Sequence, residues 1–231
     1  MKAPAVLAGL GVALALRRRP AELGRVLLGG ALVAGPAYLL AGPHVLDQLR
    51  RASRFVSLAS PWRDVAGCWD PVMGEAASRE AIGFLALGLA ALLAGLLLHG
   101  LPVAPDSVSA DARAGAAVAL GYLFAAPYSL PWYDALGWAL VALLPWSAYD
   151  GVLLARTVTL SLAYVPGLVV PLPERLTELT TEMRTEVAPQ ILIALTLACV
   201  ALSLRPRPLR QPAQPSAPVR RSADARSGPT L

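Results

Sequence analysis

The chain has 231 residues, 56% of them hydrophobic and 15% charged, with a mean hydropathy of +0.56 and a formal net charge of +5. So little charge cannot cover the surface of a soluble domain of this length, which excludes a water-soluble enzyme or binding module and points to a helical membrane protein. The apolar runs are continuous rather than alternating, so a membrane β-barrel is excluded as well.

The first apolar run, residues 3–16, ends at Arg17, Arg18 and Arg19. A cleavable secretory signal would carry small residues there, so a short membrane span followed by cytoplasmic arginines is expected. Further spans are expected at 23–42, 80–99, 114–128, 133–148, 151–166 and 188–204, about seven in all. Several are shorter than the roughly 20 residues a crossing helix needs. Seven crossings from an outside N-terminus put the loops 43–79, 129–132 and 167–187 on the extracytoplasmic face. The expected fold is all-α: a polytopic helical membrane domain over residues 1–204 in the cell membrane, with an interfacial amphipathic helix and a disordered tail.

That tail, residues 205–231, is rich in Pro, Ser and Arg and carries the whole net charge of the chain. It is expected on the cytoplasmic side near anionic headgroups. No stacking aromatics accompany its arginines, so nucleic acid is not an expected partner. Cys68, Cys199, His44 and His99 are isolated from one another, and neither a disulfide, a metal nor a cofactor is expected.

Four stretches can carry chemistry. Residues 44–59, HVLDQLRRASRFVSLA, have helical periodicity, with Val45, Leu49, Ala52 and Val56 on one face and Asp47, Arg50, Arg51 and Arg54 on the other. Lying flat on a membrane, this helix would hold Arg50, Arg51 and Arg54 at headgroup height, where guanidinium groups grip phosphate bidentately. Plain adhesion to anionic lipid needs the same residues. The following SPWRDVAGCWDP, Ser60 to Pro71, sets Trp62 and Trp69 beside Arg63, Asp64 and Asp70. It suits a sugar platform or an interfacial aromatic belt.

PYSLPWYDALGW, Pro127 to Trp138, is a proline-stiffened turn that presents Tyr128, Trp132 and Tyr133 at the interface. Asp134 opens the next helix, where it serves the helix dipole or accepts a hydrogen bond from a sugar hydroxyl. Arg156 lies inside an apolar segment, where a charge costs on the order of 2.5–3.5 kcal/mol on insertion scales. It needs a polar cavity, a partner acid or a path to the interface, and Asp150 falls on the wrong side of the helix to supply one. Glu174, Glu178, Glu182 and Glu186 recur every four residues, an acidic stripe expected as the solvated face of a surface helix.

Two stretches also carry a family resemblance. PYSLPWYDALGWALVALLPWSAYDGVLLARTVTLSLAYVPG, Pro127 to Gly167, resembles the C-terminal region of actinobacterial polyprenol-phosphate-mannose-dependent α-(1→6)-mannosyltransferases, and GPHVLDQLRRASRFVSLASPWR, Gly42 to Arg63, resembles a middle loop of the same membrane glycosyltransferases of the GT-C type. The resemblance implies a many-helix fold, a polyprenyl-phosphate-linked sugar donor, a cell-envelope glycan acceptor and chemistry on the extracytoplasmic face. It implies that Arg50, Arg51, Arg54 and Arg156 hold the donor phosphate, and that Trp62, Trp132, Tyr133 and Asp134 position sugar. Family members carry their catalytic carboxylate in an N-terminal half with no counterpart before residue 3, so the chain is expected to be a C-terminal portion. Asp64, Asp70 and Asp134 are the substitute candidates for the base. The alternative is a non-enzymatic membrane subunit that packs against a partner chain through small residues such as Gly88, Ala91 and Gly95. A permease is the third reading, and it lacks the internal repeat such folds show.

Overall fold

Proline and glycine set most of the helix boundaries. The computed structural model describes residues 9–11, 13–42, 55–102, 107–164 and 173–205, and no strand occurs among them. Helical residues near the N-terminus tighten into a 3-10 turn at Leu16–Arg18. Helix α1, Pro20–Ala41, starts with proline at its first position, where the missing N–H costs nothing. Helix α2, Trp62–Met73, and helix α3, Glu75–Gly100, meet at Gly74. Its φ of 83° lies in the left-handed region, which glycine reaches without the Cβ penalty, so the two helices can turn sharply against each other. Helix α4 spans Ser107–Ala125, α5 Asp134–Val141, α6 Ala148–Tyr164, α7 Glu174–Glu182 and α8 Ala188–Leu204.

Among the described residues, three helical stretches are long and apolar enough to cross a membrane: Pro20–Ala41, Glu75–Gly100 and the continuous run Glu174–Leu204. The third joins α7 to α8 through a π-helical turn, Met183–Val187. Its 31 residues rise about 46 Å, well beyond the ~30 Å hydrocarbon core, so one end must stand in water. That end is the acidic stripe, and all four glutamates are exposed.

One expected span is corrected. Residues 133–148 form the eight-residue α5, a turn, and the start of α6. A helix of that length rises only about 12 Å and cannot cross alone. Pro145 explains the break, because it removes an N–H donor and forces the residue before it out of the helical region. Helix α6 then restarts on a carboxylate cap: Asp150 accepts from the Ser147 N–H at 2.7 Å and from its hydroxyl at 3.1 Å. The expected amphipathic helix is corrected at its C-terminal end, where residues 55–61 are irregular chain and turn. Residues 43–54 lie outside the described residues, as do 206–231.

The packing core joins α3, α4, α5, α6 and α8. Leu97, Leu101, Ala116, Ala117, Leu120, Leu123, Val141, Tyr149, Leu153 and Cys199 form one buried cluster. Helices α3 and α4 approach so closely that a Cβ on Gly121 would stand 2.6 Å from the Ala90 carbonyl oxygen and 2.8 Å from the Ala94 nitrogen. Such backbone contact is how membrane helices gain dispersion energy when lipid removes the hydrophobic incentive to pack. A second cluster, Ala59, Leu160, Ala163, Ala188 and Leu192, pins the chain before α2 against α6 and α8. Helix α1 buries none of its residues.

Candidate functional site: a buried ion pair beneath an aromatic face

The segment between α4 and α5 forms the centre of the site. Its first proline prevents α4 from continuing, and Pro131 opens a 3-10 turn, Pro131–Tyr133, that delivers Asp134 to the start of α5. Asp134 is 0% exposed and Arg156, on the facing side of α6, is 1% exposed. The Arg156 Nη1 donates to Asp134 Oδ1. Its Nη2 donates to the Leu123 carbonyl at 2.7 Å and faces the Ser129 hydroxyl at 3.3 Å. The guanidinium lies 5.5 Å from the centre of the Phe124 ring, a cation–π placement. The other carboxylate oxygen, Asp134 Oδ2, accepts from the Thr157 hydroxyl at 2.9 Å, and Thr157 in turn accepts from the Trp138 indole at 3.1 Å.

Every strong polar group in this network therefore has a partner, as a buried charge pair requires. Of the surroundings weighed for Arg156, a partner acid is the one found, and that acid is Asp134 at the start of α5. Both side chains are enclosed by α4, α5 and α6.

Directly above the pair, the chain before α2 crosses the α4–α5 segment. The Ser57 N–H donates to the Pro127 carbonyl at 3.0 Å, and the Ser129 N–H points to the Ser57 hydroxyl at 3.4 Å. The Trp62 indole donates to the Ala125 carbonyl at 2.8 Å. These bonds satisfy carbonyls that the end of α4 leaves without helical partners. They also line up four aromatic rings. Phe55 lies 6.0 Å from Tyr128, Tyr128 lies 6.1 Å from Tyr133, and Tyr133 lies 6.3 Å edge-on to Trp132. Phe55 and Trp132 are each 57% exposed, so the row forms an open aromatic face.

The remaining candidates divide. Trp62 is half-buried and anchored through its indole nitrogen. Asp70 pairs with Arg79 at 3.0 Å across the α2–α3 corner. Asp64 is exposed on α2, and among the described residues it forms no ion pair. Arg50, Arg51 and Arg54 lie outside the described residues. Sequence reasoning did not find Ser57, Phe55, Ser129 or Thr157 as members of this site. Thr157 was the detectable one: a hydroxyl next to an arginine in an apolar helix signals a shared polar partner.

No match was found among protein-family models, curated proteins or solved structures. A buried, fully paired Asp–Arg core supplies rigidity, and the aromatic face beside it supplies flat apolar contact.

Proposed function

We propose that this chain is a membrane glycosyltransferase-like protein that takes mannose from a polyprenyl-phosphate donor and passes it to a cell-envelope glycan. One observation carries the reading. The two sequence stretches that resemble such transferases lie far apart in the chain, yet they meet at Ser57–Pro127 and Ser57–Ser129. Their meeting builds the Phe55–Tyr128–Tyr133–Trp132 face. Aromatic rings on an interfacial surface suit a pyranose, whose C–H faces pack on the ring while its hydroxyls stay wet.

In this reading, an acceptor hydroxyl oxygen attacks the anomeric carbon of mannose and the bond from that carbon to the lipid phosphate breaks. The phosphate leaves with the electron pair, and the hydroxyl proton passes to a carboxylate. Asp64 is the carboxylate that this chain offers. A polytopic arrangement belongs to the reading, with α4, α6 and the passage formed by α5 and its following turn crossing as shorter elements beside the three long helices, the aromatic face outside and the C-terminal tail in the cytoplasm.

The test is binding and transfer with radiolabelled polyprenyl-phosphate mannose on the full chain in proteoliposomes. Donor binding that weakens in Trp132→Ala supports the proposal; no donor binding by the wild-type chain overturns it.

A second reading, a non-enzymatic subunit that needs a partner chain, draws on a different observation. Gly88, Ala91 and Gly95 are exposed on one side of α3, and nothing approaches within 4 Å of a Cβ placed on either glycine. Gly88→Leu would leave the chain folded but abolish co-purification of a membrane partner, whereas unchanged co-purification removes this reading.

A further inference from the structure

Ser129 touches both the buried ion pair and the chain that carries Phe55. Its hydroxyl donates to the Ala126 carbonyl at 3.1 Å, which leaves the oxygen as an acceptor facing Arg156 Nη2 at 3.3 Å. Its N–H points to the Ser57 hydroxyl at 3.4 Å, and the Ser57 N–H donates to the Pro127 carbonyl at 3.0 Å. Ser57 therefore holds both chain neighbours of Tyr128, the ring that Phe55 meets at 6.0 Å. A continuous path runs from Asp134 through Arg156, Ser129 and Ser57 to the Phe55 and Tyr128 rings.

The path is stiff. Pro127 and Pro131 fix φ on either side of residues 128–130, and Pro131 also restricts Leu130, which is extended at φ −134° and ψ 146°. Ser57 and Ser129 are each 4% exposed, and side chains enclosed at interior density cannot shift alone. Contacts of 3.3 and 3.4 Å are long for hydrogen bonds, so close packing carries a displacement together with them.

We propose that Ser129 and Ser57 are positioning residues, which pass the setting of the Asp134–Arg156 pair to the aromatic face and so fix the spacing of Phe55 and Tyr128. The enclosed pair then acts at the surface without meeting a ligand. This deepens the sugar-platform reading above and rests on it for the identity of what the face binds.

The test is fluorine NMR of the full chain in detergent, labelled with 4-fluorophenylalanine. The three phenylalanines stand where reporters are needed. Phe55 lies on the face, Phe124 lies 5.5 Å from the Arg156 guanidinium, and Phe84 is exposed on α3 as the control. Each resonance is assigned by its Phe→Leu substitution. Asp134→Leu combined with Arg156→Met moves the Phe124 and Phe55 resonances and leaves Phe84 in place. In a Ser57→Ala background the same replacement still moves Phe124, but its effect on Phe55 falls by about half or more, the non-additivity of coupled residues. Ser129→Cys keeps the side-chain volume, loses the strong hydrogen bonds and moves Phe55 with the ion pair intact. That variant carries the test if the double replacement does not fold. An unmoved Phe55 in Ser129→Cys, or an equal Phe55 shift with and without Ser57, overturns the proposal. Mannose-donor binding, measured on the same Ser129→Cys chain, weakens about fivefold. A Phe55 shift with donor binding unchanged leaves the positioning role standing and removes the sugar-platform reading.

Discussion

Arg156 on α6 and Asp134 at the start of α5 neutralise each other in the interior of the helical bundle, 22 residues apart in the chain. Taking both charges out of water costs several kcal/mol per ion, and the pair recovers it only because Leu123, Ser129, Thr157 and Phe124 complete the shell. Half of such a pair is worse than none. Asp134→Asn or Arg156→Gln is therefore expected to destabilise the chain by about 3–5 kcal/mol. Asp134→Leu combined with Arg156→Met, which removes both charges at once, should recover most of that loss. Thermal unfolding of the single and double variants in detergent checks this, and additive losses would contradict it.

The contact between α3 and α4 makes a separate prediction. At Gly121 a methyl group would collide with backbone atoms of Ala90 and Ala94, which cannot rotate aside. Gly121→Ala should cost about 1–3 kcal/mol through overpacking. Gly88→Ala, in open space on α3, should be neutral or stabilising by up to about 1 kcal/mol, since alanine favours the helix. The unfolding midpoint should therefore fall in Gly121→Ala and hold or rise in Gly88→Ala.

Much of this architecture was legible in the chain. The apolar runs gave the helices, and the four-residue glutamate step gave a solvated helical face. The proline pair at 127 and 131 gave the turn that delivers Asp134. The half-length α5 was also written there, in Pro145, but hydropathy averages over a proline and so read 133–148 as one span. The Asp134–Arg156 pair was not legible. Each residue had a satisfactory local account, a helix-dipole acid and an intramembrane cation, and only packing of α5 on α6 brings them together. The aromatic row failed for a similar reason, since Phe55 and Tyr128 share no local pattern. The continuity of α7 with α8 was hidden because the stripe changes from polar to apolar midway, which looks like a boundary in sequence.

The aromatic face predicts a graded effect on sugar binding. Trp132 is 57% exposed beside Tyr133, whereas Trp146 is 80% exposed in the turn before α6. Trp132→Ala should weaken mannose-donor binding about three- to tenfold, the worth of one aromatic stacking contact. Trp146→Ala should not change it. Equal losses in the two variants would mean that the rings serve only the bilayer interface.

The two cysteines offer a direct reading of sidedness. Cys68 is exposed on α2 and Cys199 is buried in α8. A membrane-impermeant maleimide added to intact cells should modify Cys68 and spare Cys199. Modification of Cys68 only after permeabilisation would invert the proposed topology and move the aromatic face to the cytoplasm.

The π turn at Met183–Val187 divides one continuous helix into two rotational settings. A π turn takes in one residue more than an α turn, so the glutamate-bearing segment and the apolar segment are keyed to the axis separately. Removing one residue within the turn would swing the outer glutamates by about 100° while leaving the membrane half in place. The helix works as two dials on one shaft, and a single-residue insertion or deletion is enough to reset the outer dial.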